Sequence, residues 1–178
     1  MNKAIFLDRD GLITKAGVHI YKIEDMEFVN GAIQGLERMQ NMGYELIIVT
    51  NQAGIAKGKF TEGDYFAFRN EMHKRLKEDK INITAEYFCP HHKEGIIEEY
   101  KIDCNCRKPK PGMLEQAAKD FNLDLKKCFM IGDNPSDILA GKNAGCKTIQ
   151  VMTGEAKTES PEADFLANDL YIASYFLS

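Results

Sequence analysis

No stretch of this 178-residue chain approaches the roughly 18 consecutive apolar residues of a membrane-spanning helix, so no span is expected. The N-terminal MNKAIFLDRD has only a short apolar run before Asp8 and no small-residue cleavage site behind it. A secretory signal is not expected, and the cytoplasm is the expected compartment. Positive charge is not in excess: 23 Lys and Arg stand against 27 Asp and Glu, for a formal net charge of −4. That balance argues against non-specific nucleic-acid binding. Cysteines are few and odd in number, five, with three of them clustered near a histidine, which fits a metal site in a reducing compartment better than a disulfide framework. Internal repeats, low-complexity tracts and Pro/Gly linkers are all missing. Residues 1–178 therefore read as one domain, expected to be monomeric and able to bury about 70% of its surface.

What is there alternates. Lys3 to Leu7, Glu45 to Val49, about 85–88, Lys127 to Ile131 and about 147–152 are short apolar runs of strand character. Between them, 30–42, about 61–80, about 111–121 and 135–144 carry apolar residues at helical spacing or helix start and stop signals. Gly43 and Gly145 are stops, Thr61 with Asp64 forms a cap, and Pro111 is expected at the first helical position. The order βαβα specifies a parallel sheet covered by helices on both faces, with ligands bound beyond the carboxyl ends of the strands. The polar clusters obey that rule: Asp8 and Asp10, Thr50 and Asn51, and Asp133 each follow an apolar strand. They should converge on one edge of the sheet. Cys128 and Cys146, in apolar strands, read as core residues.

Asp8 and Asp10, one residue apart, point the same way if the extended geometry persists. Two carboxylates so placed repel unless a cation lies between them or one is protonated. Beside a hard divalent cation one can attack phosphorus while the other exchanges a proton with the leaving group. A plain turn is the competing reading of the same residues. Thr50 adds a hydroxyl in a loop able to hold phosphate oxygens, or is merely a polar strand end. Arg107 to Pro111 sets three cations before a helix start, where they oppose the helix dipole. A ligand anion would relieve that conflict, although a solvated basic loop would also tolerate it. Asp133 would complete a Mg²⁺ site, and Asp137 suits hydrogen-bonded support better than metal contact.

Cys89-Pro90-His91 and Cys104-Asn105-Cys106 form the Cys₃His set of a closed, structural zinc site. His92 is the alternative imidazole, and reduced cysteines beside an exposed histidine are the alternative without metal. The zinc-binding loop, 89–109, would tie down the irregular segment that carries Arg107 and Lys108.

Taken together, these segments resemble the haloacid dehalogenase (HAD) superfamily of phosphotransferases from end to end: Asp8-Arg9-Asp10-Gly11, Thr50-Asn51, Lys108, and Gly132-Asp133 with Asp137. The resemblance implies an α/β, three-layer Rossmann-like HAD fold with a central parallel sheet, no large cap domain and a zinc-binding loop insertion. It implies that Asp8 is the nucleophile, that Asp10 protonates the leaving oxygen and later activates water, and that Thr50 and Lys108 hold the phosphoryl group. Asp8, Asp133 and the backbone carbonyl of Asp10 would hold catalytic Mg²⁺. Within the superfamily, the long zinc loop before Arg107-Lys108-Pro109 and the run Thr50 to Gly58 resemble the D-glycero-D-manno-heptose 1,7-bisphosphate 7-phosphatase family. Membership would make the substrate a phosphorylated sugar used for lipopolysaccharide or other surface glycans. Arg107 would recognise its second phosphate or its hydroxyls, with Asn51, Gln52, Ala53, Asn134 and His19 as further substrate contacts. In place of that family's Gly-Tyr-Val turn the chain has Ala16-Gly17-Val18-His19-Ile20-Tyr21. Histidinol-phosphate phosphatase is the neighbouring alternative, and a non-catalytic zinc-loop binding module is the alternative of another class.

Overall fold

The computed structural model describes residues 2–154 and 158–177, so Met1, 155–157 and Ser178 of the expected 1–178 unit lie outside the described residues. Six parallel strands form one sheet, β1 (Ala4–Leu7), β2 (Glu45–Asn51), β3 (Ala85–Cys89), β4 (Phe129–Gly132), β5 (Lys147–Val151) and β6 (Phe165–Ala167), in the order β3-β2-β1-β4-β5-β6. The chain winds outward in one direction from β1 through β3 and then returns to start the other half at β4. The resulting switch point lies between β1 and β4, where a parallel α/β sheet opens a crevice at its strand ends.

Alternation within the strands assigns the two faces. Ile5, Leu7, Leu46, Ile48, Ile131, Ile149 and Val151 join one core with α1 (Ala32–Asn41), α3 (Glu62–Glu78) and α6 (Leu170–Ala173). Ala4, Phe6, Ile47, Val49 and Met130 join the opposite core with α4 (Gly112–Asp120) and α5 (Pro135–Ala144). The three-layer arrangement read from the sequence is present. The Thr61 cap also forms: its Oγ1 accepts from the Asp64 amide at 3.1 Å while Asp64 accepts from the Thr61 amide at 2.8 Å.

Several local expectations need correction. Pro111 caps α4 rather than opening it, because the helix begins at Gly112. The segment after Thr50, expected from the sequence to carry a single helix, carries two. A four-residue turn, α2 (Ala53–Ala56), precedes α3, and their separation lets the backbone of Ala56 accept hydrogen bonds from Ile96 and Ile97 at 2.8 and 3.0 Å. Cys128 and Cys146 sit one residue before β4 and β5, although both are buried as expected. The segment 89–109 gains its support from those bonds to Ala56, from a 3₁₀ turn at Glu98–Tyr100 and from its cysteine cluster.

Candidate active site

The strand ends of β1, β2 and β4 deliver Asp8, Asp10, Thr50, Asn51 and Asp133 to one cleft of about 430 Å³, which Arg107, Lys108, Asn134 and Asp137 also line. Convergence on one sheet edge, expected from the pattern, is what the fold produces. Gly11 (φ +87°) and Gly154 make the close packing possible. A Cβ at either would meet Asp133 Oδ2, at 2.8 and 1.8 Å respectively.

Lys108 is not a solvated loop residue. Its Nζ donates to Asp8 Oδ1 at 2.8 Å and to the Val49 carbonyl at 2.7 Å, and pairs with Asp137 Oδ1 at 2.7 Å. The conflict between its charge and the start of α4 is thus resolved by two carboxylates of the protein itself. Asn51 clamps the Lys108 backbone from both sides, its Nδ2 donating to the carbonyl and its Oδ1 accepting from the amide, each at 3.0 Å. Asp137 uses its second oxygen to accept from the Asn134 amide at 3.0 Å, closing the cap of α5. Its supporting role follows from having both oxygens engaged. Asn134 completes that cap by accepting from the Ser136 amide at 3.1 Å.

Carboxylate oxygens of Asp8, Asp133 and Asp137 all lie within 4.8 Å of one another. Burial, reinforced by the Asp137 charge, pushes Asp8 up to about 8 against the pull of Lys108. Burial and Asp137 likewise push Asp133 up to about 7. Three buried acids facing one ammonium leave excess negative charge, and a hard divalent cation with oxygen ligands fits it.

Asp10 is oriented apart from that trio. Its carboxylate accepts from Arg9 Nε and Nη2 at 3.0 and 2.9 Å, from Thr14 Oγ1 at 3.2 Å and from Gln52 Nε2 at 3.0 Å. Gln52 also donates to Thr50 Oγ1 at 2.8 Å, so this buried amide ties two site residues together. Arg9 and this bridging role of Gln52 escape sequence reasoning, since both depend on partners distant in the chain. The only hint is a cation lodged between two aspartates.

A second pocket, about 180 Å³, shares Asp10, Gly17 and Asn51 with the cleft and adds His19, Gln52, Ala53 and Phe60. His19 adopts φ +57°, uncommon for a non-glycine residue, with its ring 6.4 Å from that of Phe60.

The cysteine cluster forms at the end of β3. Sulfur separations are 3.1 Å for Cys89–Cys106, 3.2 Å for Cys104–Cys106 and 3.4 Å for Cys89–Cys104. His91 Nδ1 lies 3.4 Å from Cys106 Sγ and 3.9 Å from Cys89 Sγ. A tetrahedral zinc with Zn–S of about 2.3 Å needs S–S edges of about 3.8 Å, so a slight expansion fits the ion. The hydrogen bond between Cys106 and Cys89 draws the Cys106 thiol down to about 5, and the same bond with burial pushes Cys89 up. Arg107 Nη1 donates to the His91 carbonyl at 3.3 Å, which connects the cluster directly to the cleft.

Comparison with known proteins follows the same lines. Residues 105–173 match the family model described as HAD-hyrolase-like. Over 97% of this chain and 94% of the other, the sequence is 43% identical to D-glycero-alpha-D-manno-heptose-1,7-bisphosphate 7-phosphatase of Photorhabdus laumondii. It is 46% identical, over 89% of this chain and 86% of the other, to the D-glycero-beta-D-manno-heptose-1,7-bisphosphate 7-phosphatase of Pasteurella multocida. Among solved structures, D,D-heptose 1,7-bisphosphate phosphatase from B. bronchiseptica, complexed with magnesium and phosphate, superposes with a TM-score of 0.87 at 28% identity, covering 99% of this chain and 98% of that one.

Proposed function

The chain belongs to the heptose-1,7-bisphosphate 7-phosphatase family of HAD-like hydrolases, and from that premise we propose how its residues carry the reaction. It is a phosphoric monoester hydrolase that removes the C7 phosphate of D-glycero-D-manno-heptose 1,7-bisphosphate. The supporting observation is the meeting of Asp8, Thr50, Lys108 and Asp133 in one cleft of a chain so similar to enzymes of that name.

In this reading an Asp8 oxygen attacks the C7 phosphorus while the bond from phosphorus to the sugar oxygen breaks, and Asp10 delivers its proton to that oxygen. An aspartyl phosphate remains. Asp10, now a carboxylate, takes a proton from water, whose oxygen attacks phosphorus and releases inorganic phosphate and free Asp8. Lys108 balances the charge of Asp8 and of the phosphoryl oxygens, and Thr50 donates its hydroxyl to them. Asp8, Asp133 and the Asp10 carbonyl would hold Mg²⁺, which when bound supplies neutralisation of the phosphate and carboxylate charge. Cys89, His91, Cys104 and Cys106 would hold structural zinc, leaving no open ligand position.

Arg107 faces the same cleft and offers a planar fork for the second phosphate. Asn51, Gln52, Ala53 and His19 surround the adjoining pocket, where the sugar is accommodated, and Asn134 lines the cleft beside Asp133. The relatives divide between alpha and beta anomers in their names. Among the described residues no helix is long and apolar enough to cross a membrane. We assign the chain as a monomeric cytoplasmic enzyme, residues 1–178 forming one catalytic unit with 89–109 as its zinc loop. Initial rates of phosphate release with Mg²⁺ on both heptose bisphosphate anomers, fructose 1,6-bisphosphate and histidinol phosphate test the assignment. A heptose bisphosphate is expected to lead by at least about tenfold in kcat/KM, and preference for histidinol phosphate would overturn it.

A further inference from the structure

Arg9 is among the largest fully buried side chains of the described residues, only 1% exposed. Its guanidinium lies 4.8 Å from the Phe68 ring centroid and 5.6 Å from that of Tyr65, both on α3. One edge forks onto Asp10. Beyond it stands Glu86 of β3, whose carboxylate accepts from Tyr65 Oη at 2.7 Å, contacts His73 Nε2 at 2.7 Å and has a side chain 1% exposed. Although burial opposes the charge on Arg9, the charges of Asp10 and Glu86 outweigh it and raise its pKa.

Burying a guanidinium is costly, and an ion pair whose acid is 32% exposed returns little stability. Charge balance for Asp10 alone could be met by a lysine at the surface. A planar fork packed against two aromatic rings does something else: it fixes the plane of the carboxylate it grips. Thr14 and Gln52 donate to the same two oxygens, so the orientation is defined by three side chains.

We propose that Arg9, held in the Tyr65–Phe68–Glu86 slot, is the positioning residue that aims Asp10. The proposal rests on the reading of Asp10 as proton carrier. One carboxylate must face the leaving oxygen and afterwards the attacking water on the same line, so an error in its plane slows both steps.

The test is Arg9→Lys, compared with the unaltered enzyme on heptose bisphosphate and on p-nitrophenyl phosphate, in steady state and by rapid quench. On the sugar substrate kcat falls about 10- to 100-fold while KM stays within about twofold. Nitrophenolate leaves without protonation, so the variant releases close to one equivalent in a fast burst before slow turnover, because water activation still needs Asp10. An unchanged kcat, a KM that rises in step with the loss, or a slowed burst would overturn the proposal. Should Arg9→Lys fail to fold, Glu86→Gln and Tyr65→Phe leave the fork in place but loosen its slot. Each is then expected to lower kcat to a smaller extent at constant KM, and unchanged kcat in both would overturn the proposal. Asp8→Asn run alongside separates the two levels. Turnover by Asp8→Asn would defeat the underlying phosphatase reading, whereas an inactive Asp8→Asn beside a fully active Arg9→Lys would defeat only the role of Arg9.

Discussion

Two ligand clusters stand side by side at the strand ends of this protein, and they are built on opposite terms. The Cys89–His91–Cys104–Cys106 set offers three thiols and an imidazole from one loop and the strand that leads into it, which in the proposed reading would complete a tetrahedron around zinc and leave no place for a substrate. The carboxylates of Asp8 and Asp133, just past two central strands, stand with the supporting Asp137 of α5 around a single lysine and open onto the cleft. In the proposed reading closed coordination would give rigidity and open coordination chemistry. The hydrogen bond from Arg107 to the His91 carbonyl links the first to the second.

The contrast is broken most severely at Asp8. Asp8→Asn should lower kcat by roughly four orders of magnitude while circular dichroism and the melting profile remain those of a folded protein. Retained turnover would mean that the open cluster is not the reacting one. Next, Cys104→Ser should bring zinc, near one equivalent per chain by elemental analysis in the parent, well below that value. Activity should fall by about 10- to 100-fold rather than vanish, as Arg107 and Lys108 lose their tether.

Protonation sharpens the comparison further. Asp8 and Asp133 have folded-state values near 8 and 7, above those of an unfolded aspartate, so between about pH 4 and 8 the folded state binds more protons than the unfolded. In the absence of divalent metal, thermal stability should therefore decline as pH rises through that window, and millimolar Mg²⁺ should flatten the decline. The closed cluster, loaded with zinc, should show no such Mg²⁺ response. The smallest effect belongs to Asn134, whose side chain caps α5. Asn134→Ala should cost about 1 kcal/mol in denaturant unfolding. A KM rise in that variant larger than its loss of folded fraction would identify a substrate contact as well.

Much of this arrangement is legible in the sequence, for an identifiable reason. Asp8 and Asp133 directly follow apolar strands and Thr50 lies at the end of one, so locating the strands locates much of the chemistry. The Cys–His cluster declares itself by its spacing, and the structure brings its four side chains together. The C-terminal edge of the core shared with α1 and α3 is harder to read: Phe165–Ala167 is too short to show periodicity, and α6 is a single turn whose packing on α1 depends on tertiary contact. Lys108 was expected to await a ligand anion, yet it is already paired with Asp8 and Asp137, because the loop that brings it there folds against Asn51. Arg9 is invisible for the same reason. A slot made by α3 and β3 cannot be inferred from the two aspartates that flank it.

The strand order has a consequence for synthesis. β1 is flanked by β2, which follows closely, and by β4, whose Met130 pairs with Phe6 from 124 positions further along. A nascent chain emerging from the ribosome therefore presents Asp8 early, whereas Asp133 follows only 125 positions later. Closure of the central sheet is what brings these two carboxylates together, and such a long-range pairing folds slowly.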